Sequence, residues 1–326
     1  MMNKTLNAIS LFSGCGGLDL GFKKAGFNIL LANDMDKCAS QTYKRNFPKT
    51  TFISSNIKQI SIDEIKKRIK RQKVDVIIGG PPCQGFSNAG LHDPKDPRNS
   101  LFMEFIRIVM GIKPKYVVLE NVPGILTMRT INGGLVKDII EHEFNKIGYK
   151  IESKILLSAN YGVPQKRRRV IFIGTKTNRP IVFPQPTHAK TGLMLKPWVN
   201  AYSVLFDKNK IDKRYFHTQK MITGFINRKN RNSTKGKGFG WQILKRDEPS
   251  YTISARYWKD GADALVYYSK NKVRMLTERE CARIQSFPDK FIFLGSRKEI
   301  YKQIGNAVPP LLAEAIALKI KQQLKV

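Results

Sequence analysis

A cysteine placed just after a short apolar run is the residue of this chain best suited to chemistry. The run, 74–79, is rich in β-branched residues and ends in glycine, which is typical of a buried parallel strand that opens into a loop. Pro81 and Pro82 then stiffen the backbone before Cys83. Open α/β sheets bind ligands at the carboxyl ends of such strands, so this pattern predicts a nucleophilic thiol. The alternative is a cysteine packed in the core, but that interpretation would put Cys83 inside the strand.

A glycine-rich turn, 12–17, follows the first predicted strand. Its glycines permit a tight strand-to-helix turn and close approach of a ligand to the backbone. The turn matches neither the GxGxxG fingerprint nor the GK[ST] of a phosphate loop, which argues against a nucleoside triphosphate. Asp34 ends the second strand, where it can bind a ribose diol, and Asn56 ends the third, where it can meet an adenine edge. Together these positions predict an adenosine-bearing cofactor, although a glycine turn alone also forms without a ligand.

The charge of the chain points to a polyanionic partner. Its 326 residues include 58 Lys and Arg against 25 Asp and Glu, a formal net charge of +33. Such an excess is typical of proteins that bind nucleic acid. The alternative, a solvated lysine-rich surface, fits the basic helical segment 66–71. The size of the whole excess favours nucleic acid.

Cysteine and histidine usage argues against metal sites and disulfide frameworks. The four cysteines form no CxxC pair and the four histidines no HxxxH pair, so we expect reduced thiols and no structural zinc. The amino terminus lacks the pattern of a signal peptide, and no run approaches the ~20 apolar residues of a membrane span. We therefore expect a cytoplasmic protein that does not contact membranes.

Strand-like and helix-like segments alternate in the first half of the chain, which predicts an α/β fold with a doubly wound, mainly parallel sheet. The predicted strands are 8–12, 28–33, 51–53, 74–79, 116–120, 151–157 and 170–174, and the predicted helices are 18–25, 37–46, 62–72, 100–111 and 135–147. From 180 to 272 the alternation stops, which predicts a smaller, irregular lobe. Predicted helices at 277–286 and 311–324 return to the character of the first lobe. We therefore predict one domain from 1–179 and 273–326 and a second from 180–272.

Four further clusters complete a set of motifs. Glu120-Asn121-Val122 follows a predicted strand, 165–169 precedes another, 279–283 opens a late helix, and 305–308 precedes the last helix. In this order and spacing, together with the glycine turn and the Pro-Cys dipeptide, they resemble the DNA cytosine-5 methyltransferases of bacterial restriction–modification systems. The resemblance runs from Leu11 to the tail, except for 180–272, where that family varies most.

The resemblance implies a Rossmann-like methyltransferase that uses S-adenosyl-L-methionine and no metal, with 180–272 as its target-recognition domain. It implies that Cys83 is the nucleophile and that Glu120 and Arg167 hold the target cytosine. It further implies that Gln165 and Arg169 position the loop carrying Arg167. The residues it places around S-adenosylmethionine are Phe12, Ser13, Gly14, Cys15, Gly17, Asn33, Asp34, Met35, Asn56, Ile57, Pro82, Leu101, Asn306, Ala307 and Val308.

The chemistry of cytosine explains the need for these residue types, because carbon 5 is too poor a nucleophile to accept a methyl group directly. Addition of the Cys83 thiolate to carbon 6 turns the ring into an enamine and loads electron density onto carbon 5. Glu120 would supply a proton or strong hydrogen bond at N3, and Arg167 would hold O2 as negative charge develops. The methyl group of S-adenosylmethionine is then transferred to carbon 5, after which loss of the carbon 5 proton and expulsion of Cys83 restore the ring.

The target base must leave the duplex, and the resemblance indicates which residues would contact the DNA. The segment 84–98, with Gly85 and Gly90 as hinges, is expected to close over the flipped base. The segment 248–254 resembles the family's Thr-Leu signature, with Ile253 in place of leucine, and Phe239 is expected to fill the space left by the base. The predicted DNA-binding residues are Ser87, Arg98, Lys166, Arg169, Lys237, Phe239, Thr252, Arg256 and Tyr257, with Lys259 as a further candidate.

We therefore predict a monomeric enzyme that methylates a specific site in double-stranded DNA. A cognate restriction endonuclease would act on the same site without forming a stable complex. Two alternatives stay open. An RNA cytosine-5 methyltransferase of the same fold would carry a Cys-Phe-Thr signature, which this sequence lacks. A non-catalytic DNA-binding homologue would have lost Cys83, Glu120 or the glycine turn.

Overall fold

The computed structural model describes residues 5–82, 99–130, 133–192, 194–233 and 241–325. Several predicted positions lie outside this part of the chain: Cys83, the segment 84–98 with Ser87 and Arg98, and Lys237 and Phe239. Within the described ranges, no helix combines the length and the apolar character that crossing a membrane requires.

Seven strands form one sheet in the order β3-β2-β1-β4-β5-β7-β6. They are β1 (Leu6–Leu11), β2 (Phe27–Asn33), β3 (Thr51–Ile53), β4 (Val76–Gly79), β5 (Tyr116–Asn121), β6 (Lys150–Leu157) and β7 (Arg168–Thr175). The first five strands pair in parallel with one another, whereas β7 runs antiparallel to β5. The sheet is therefore doubly wound and mainly parallel, and the predicted fold class is confirmed.

Five helices connect these strands, and each overlaps a predicted helix. They are α1 (Gly17–Lys24), α2 (Lys37–Asn46), α3 (Ile62–Arg68), α4 (Asn99–Ile112) and α5 (Val136–Lys146). The residues of β1 and β4 are almost entirely buried, because helices cover both faces of a doubly wound sheet. This burial explains why the strands read as continuous apolar runs in the sequence.

Residue contacts divide the chain into two compact units. The first, which we call the sheet unit, comprises 1–156, 168–185 and 313–326, and the second unit comprises 157–167 and 186–312. The predicted boundaries at 180 and 272 differ from these, and the division into a catalytic domain and a target-recognition domain stays a prediction.

The second unit contains short strands and helices, and the sequence analysis gave no bounds for most of them. They are β8 (His188–Ala189), β9 (Lys196–Pro197), α6 (Gln219–Ser233), β10 (Leu265–Ser269), β11 (Lys272–Met275), α7 (Glu278–Ile284), α8 (Arg297–Asn306) and the start of α9 (Pro310–Lys325). The unpredicted helices are α6 and α8. Each buries a narrow stripe in an otherwise polar sequence, such as Ile222 and Phe225 in α6 and Tyr301 and Ile304 in α8. Such a stripe gives a weak periodic signal.

A buried ion pair holds β11 to α7. Arg274 Nη1 and Nη2 lie 2.8 and 2.9 Å from the two carboxylate oxygens of Glu280, and both side chains are fully buried. Glu280 also accepts hydrogen bonds from the backbone N–H groups of Thr277 and Phe206, at 2.8 and 3.0 Å. The Thr277 hydroxyl in turn accepts from the N–H of Glu280, which completes a capping box at the start of α7. These contacts account for the spacing of Arg274, Thr277 and Glu280.

We expect Glu280→Gln to lower the free energy of unfolding by about 3 kcal/mol, because it leaves the buried Arg274 guanidinium without a counter-charge. Asp289→Asn is a matched control, since Asp289 pairs with Arg283 at an exposed position, and it should cost less than about 1 kcal/mol. Denaturant unfolding followed by tryptophan fluorescence measures both changes. The second unit holds all three tryptophans, Trp198, Trp241 and Trp258. Equal losses in the two variants would contradict this account of the ion pair.

Candidate active site

Two glycines at the end of β4 bring it close to its neighbours in the sheet unit. A Cβ atom on Gly79 would lie 2.4 Å from the carbonyl oxygen of Leu11 and 3.1 Å from the Phe105 ring. A Cβ on Gly80 would lie 3.2 Å from Oε2 of Glu120. The absence of side chains therefore allows the Glu120 carboxylate to lie against the segment that leads to Cys83.

Asn121 fastens that segment to β5. Its Nδ2 donates to the carbonyl of Pro81 at 3.0 Å, and its Oδ1 accepts from the backbone N–H of Val122 at 2.9 Å. Sequence reasoning gave Asn121 no role of its own. The available signal was its place beside Glu120 at the carboxyl end of a buried strand. Its amide fixes the start of the segment that carries the predicted nucleophile.

Glu120 pairs with Arg169. The Nε of Arg169 lies 2.7 Å from Oε1 of Glu120, and each side chain is only 12% exposed. The antiparallel register of β5 and β7 sets Glu120 opposite Ile171, so Arg169 lies at the diagonal position across the two strands. Burial lowers the pKa of the Arg169 guanidinium from its ordinary value, and the charge of Glu120 opposes that shift. An acid and a fixed guanidinium therefore lie together beside Gly80.

Arg167 has a different environment, which contradicts its predicted contact with cytosine. It is 1% exposed, and its guanidinium donates to the carbonyls of Ile253 at 3.1 Å and Gly305 at 2.7 Å within the second unit. A buried guanidinium held by two backbone carbonyls is a structural element. The predicted assignment is corrected accordingly: Arg167 is the positioning residue, and Arg169 is the arginine beside Glu120.

Gln165 and Gln285 extend the contacts of Arg167, and we call these three residues the buried Gln–Arg cluster. Gln165 Nε2 donates to Oε1 of Gln285 at 2.6 Å, and Gln165 Oε1 accepts from the N–H of Ile253 at 3.2 Å. Gln285 Nε2 donates to the carbonyls of Ile304 and Ala307, at 3.0 and 2.8 Å. These contacts agree with the predicted scaffold role of Gln165. They join the Ile253 signature to the segment that precedes α9.

The glycine turn after β1 has the backbone that a ligand would need. Phe12 and Gly14 have φ angles of 55° and 54°, in the left-handed region. Around the Cβ direction of Gly14, no atom of the described residues other than its chain neighbours lies within 4 Å. Phe12 is partly exposed, whereas Cys15 is buried. The turn therefore offers a bare backbone and one aromatic face.

Asp34 holds this turn in place. Its Oδ2 accepts from the N–H of Gly14 at 2.7 Å, and its Oδ1 accepts from the N–H of Asp36 at 2.8 Å. Burial raises the pKa of the Asp34 carboxyl, and the two N–H groups oppose that shift. Each carboxylate oxygen has two acceptor sites, so hydrogen bonds from a ribose diol remain compatible with these contacts.

A second carboxylate, which sequence reasoning missed, lies beneath the turn. Asp19 in α1 is fully buried and accepts from the hydroxyls of Ser10 at 3.0 Å and Tyr43 at 2.7 Å. Burial raises the pKa of Asp19 to about 6. Because Ser10 is in β1 and Tyr43 in α2, this carboxylate joins the three elements that surround the turn.

The other predicted cofactor residues differ in exposure. Asn33 is buried and donates to the carbonyls of Ile53 and Ser55, both at 2.9 Å, so its side chain serves the fold. Asn56 accepts from the N–H of Lys58 and caps a short 3₁₀ helix. The remaining positions divide into exposed Met35, Pro82 and Asn306, partly exposed Ser13 and Leu101, and buried Gly17, Ile57, Ala307 and Val308.

The predicted DNA contacts in the second unit are partly contradicted. Tyr257 is 1% exposed, donates to the carbonyl of Ala264 at 2.7 Å and accepts from the N–H of Leu276 at 2.8 Å. Such a ring packs in the core and does not reach a base. Lys166 forms an ion pair with Glu248, which weakens its prediction as a phosphate contact. Thr252, Arg256 and Lys259 are exposed, as a DNA contact requires.

Comparisons with known proteins agree with this arrangement. A profile of the C-5 cytosine-specific DNA methylase family matches residues 6–322. Type II methyltransferase M.DdeI of Desulfomicrobium norvegicum is 38% identical over an alignment of 375 residues. The alignment covers 97% of this chain and 88% of that protein. M1.HphI of Haemophilus parahaemolyticus, also a Type II methyltransferase, is 38% identical over 329 residues, with 96% and 86% covered.

The structure of the S. pombe Dnmt2 methyltransferase aligns with a TM-score of 0.76 over 98% of this chain and 100% of that one. Its 18% identity supports the fold alone. The family profile and the two Type II relatives extend over nearly the whole sequence. On that extent of similarity, this chain belongs to the C-5 cytosine-specific DNA methylase family.

Proposed function

We propose that this enzyme methylates carbon 5 of a cytosine flipped out of a specific site in duplex DNA, through a covalent bond between Cys83 and carbon 6. The observation that carries the proposal is the Glu120–Arg169 pair, with Nε and Oε1 2.7 Å apart. It lies beside Gly80, two residues before Pro82 and three before Cys83 in the sequence. An acid, a fixed cation and a thiol are the groups that addition to cytosine requires.

Each group has a defined task in the proposed reaction. The Cys83 thiolate forms a bond to carbon 6, and the ring electrons move towards carbon 5 and N3. Glu120 donates a proton or hydrogen bond at N3, and Arg169 donates to O2, so both offset the negative charge that develops. Their shared burial strengthens these interactions relative to water. After methylation the proton at N3 returns to Glu120, the carbon 5 proton passes to solvent, and the Cys83 thiolate departs, which restores the aromatic ring.

The glycine turn and Asp34 support S-adenosyl-L-methionine as the cofactor. When bound, S-adenosylmethionine supplies the electrophilic methyl group that carbon 5 takes up. Asp34 would accept hydrogen bonds from the ribose diol, and the exposed backbone at Gly14 would admit the amino-acid portion. Phe12 would pack against the bound molecule. The cofactor-binding roles of Asn306, Ala307 and Val308 stay predictions.

Residues 180–272 are proposed to read the DNA sequence, with Arg256 as the foremost candidate for a base contact. Exposed Arg256 precedes a short 3₁₀ helix, Tyr257–Lys259, that buried Tyr257 anchors. The predicted roles of Ser87, Arg98, Lys237 and Phe239 belong to the same proposal. We further propose a monomeric, cytoplasmic enzyme whose product is protected from an endonuclease of the same site specificity.

A mechanism-based trap tests the covalent step. Duplex DNA with 5-fluorocytosine at the target should form a stable adduct with the enzyme in the presence of S-adenosylmethionine, because fluorine cannot leave as a proton does. Cys83→Ser should abolish the adduct, seen as a band of higher mass in denaturing gels, and retain DNA binding. An adduct of equal yield in Cys83→Ser would rule out Cys83 as the nucleophile.

Glu120→Gln separates catalysis from cofactor binding. We expect methyl transfer to slow by about 10²–10⁴-fold, the usual scale for loss of a general acid. The affinity for S-adenosylmethionine, measured by calorimetry, should stay within about twofold, because Glu120 is assigned to the base. Normal turnover in this variant would contradict its assigned task.

Two arginine variants test the corrected assignment. Arg169→Gln should lower the rate of methyl transfer by about 10²–10³-fold, because it removes the donor at O2. It should leave the tryptophan-detected unfolding of the second unit unchanged, since Arg169 lies in the sheet unit. Arg167→Gln should instead destabilise the second unit by about 1–3 kcal/mol, because it leaves two buried carbonyls without donors. The reverse pattern would restore the assignment made from the sequence.

A further inference from the structure

Helix α6 is held to the second unit by very few side chains. Of its residues from 219 to 231, only Ile222 and Phe225 are buried. They pack with Ala262, Leu265 and Val273 in a small apolar cluster. Ile222 and Phe225 both lie in the first half of the helix, one turn apart.

The second half of α6 extends beyond the two residues that pack in the apolar cluster. Lys229 lies seven residues after Ile222 and four after Phe225, so it continues the buried stripe along the same side of the helix. It is nevertheless exposed, as is every residue from 226 to 231. Ile226 is 42% exposed. We call this exposed part, 226–231, the projecting half.

The orientation of α6 is fixed at the point where the projecting half begins. The Nη1 of Arg228 lies 2.9 Å from Oδ2 of Asp260, and the Arg228 guanidinium lies 5.6 Å from the centre of the Phe225 ring. Asp260 directly follows the short helix that Arg256 precedes. The projecting half is therefore tied to the segment that carries the candidate base contact.

The charge of α6 has a single sign. Its fifteen residues include Lys220, Arg228, Lys229 and Arg231 and no Asp or Glu. Asn227 and Asn230 stand among the cations of the projecting half. Lysine, arginine and asparagine are among the side chains that donate to DNA phosphates. The exposed apolar residues Met221 and Ile226 are separated around the helix and form no common patch, as the core of a protein interface would require.

We infer that the projecting half of α6 is a phosphate-binding surface for duplex DNA, with Lys229 and Arg231 as its principal contacts. The inference rests on the proposed function and adds to it a contact outside the predicted recognition residues. An acidic protein surface is the other partner that these positive charges would attract. The described residues of α6 form no exposed apolar patch, which favours DNA.

Salt-dependent binding tests the inference. Lys229→Gln/Arg231→Gln removes two charges, and glutamine keeps a comparable helix propensity. Each lost phosphate contact should make the slope of log K against log[salt] shallower by about 0.9. For two contacts, the affinity advantage of the wild-type enzyme over the variant should therefore shrink about tenfold between ~50 and ~200 mM salt. Fluorescence anisotropy with a labelled duplex of random sequence measures this change.

Two further variants serve as controls. Lys67→Gln/Arg71→Gln removes one exposed lysine and one exposed arginine near the end of α3, in the sheet unit, and should leave the slope unchanged. Lys229→Arg/Arg231→Lys keeps both charges and should retain the wild-type slope. Circular dichroism checks that all variants are folded alike.

The outcomes distinguish this inference from the proposed function. If the wild-type enzyme methylates duplex DNA but Lys229→Gln/Arg231→Gln keeps its salt slope, the DNA surface on α6 is overturned and an acidic protein becomes the partner to seek. An equal change of slope in the α3 control also overturns it, because the effect would then be general charge. A wild-type enzyme that binds duplex DNA but methylates no cytosine overturns the proposed function itself.

Discussion

The direction of β7 is the constraint on which the candidate site depends. Ligands of a parallel sheet bind beyond the carboxyl ends of its strands. Because β7 runs antiparallel to β5, its first residues lie beside the last residues of β5, and Asn121 is opposite Val170. If β7 ran parallel to β5, Arg169 would lie at the opposite end of the strands, away from Glu120. The antiparallel pairing therefore unites Glu120 and Arg169 without a long loop.

The burial of this ion pair has an energetic consequence. At 12% exposure both groups have lost most of their hydration, and the charge of each partner offsets that loss for the other. The pair is thus oriented before a substrate arrives, and its dipoles need little rearrangement during the reaction. Asn121 adds a second restraint, since its hydrogen bond to Pro81 fixes where the chain leaves the sheet towards Cys83. Preorganisation here comes from the strands themselves rather than from a flexible loop.

Sequence reasoning found the elements of the sheet because buried parallel strands and their helices have strong periodic signals. It singled out Glu120 only through the motif 120–122, since a carboxylate at the end of a strand is by itself as readily explained by solvation, and the role of Glu120 stays a prediction. It assigned the contact with cytosine to Arg167 rather than to Arg169, because two arginines two residues apart look alike until burial and partners are known. Tyr257 was misjudged because residues beside the signature segment 248–254 were expected to face the DNA, yet its hydroxyl is satisfied inside the core.

The buried Gln–Arg cluster limits which parts of the recognition segment can vary. Gln165 and Arg167 hold both the N–H and the carbonyl of Ile253, which lies more than eighty residues further along the chain. A Cβ on Gly305 would lie 2.4 Å from the backbone of Ser254 and Ala255, so this crossing admits only glycine. These contacts are made to the backbone and do not depend on the side chain of residue 253. This explains how isoleucine can replace leucine in the signature. The proposed base contact at exposed Arg256 can therefore vary, while the backbone up to Ala255 must keep its path for the cluster to remain satisfied.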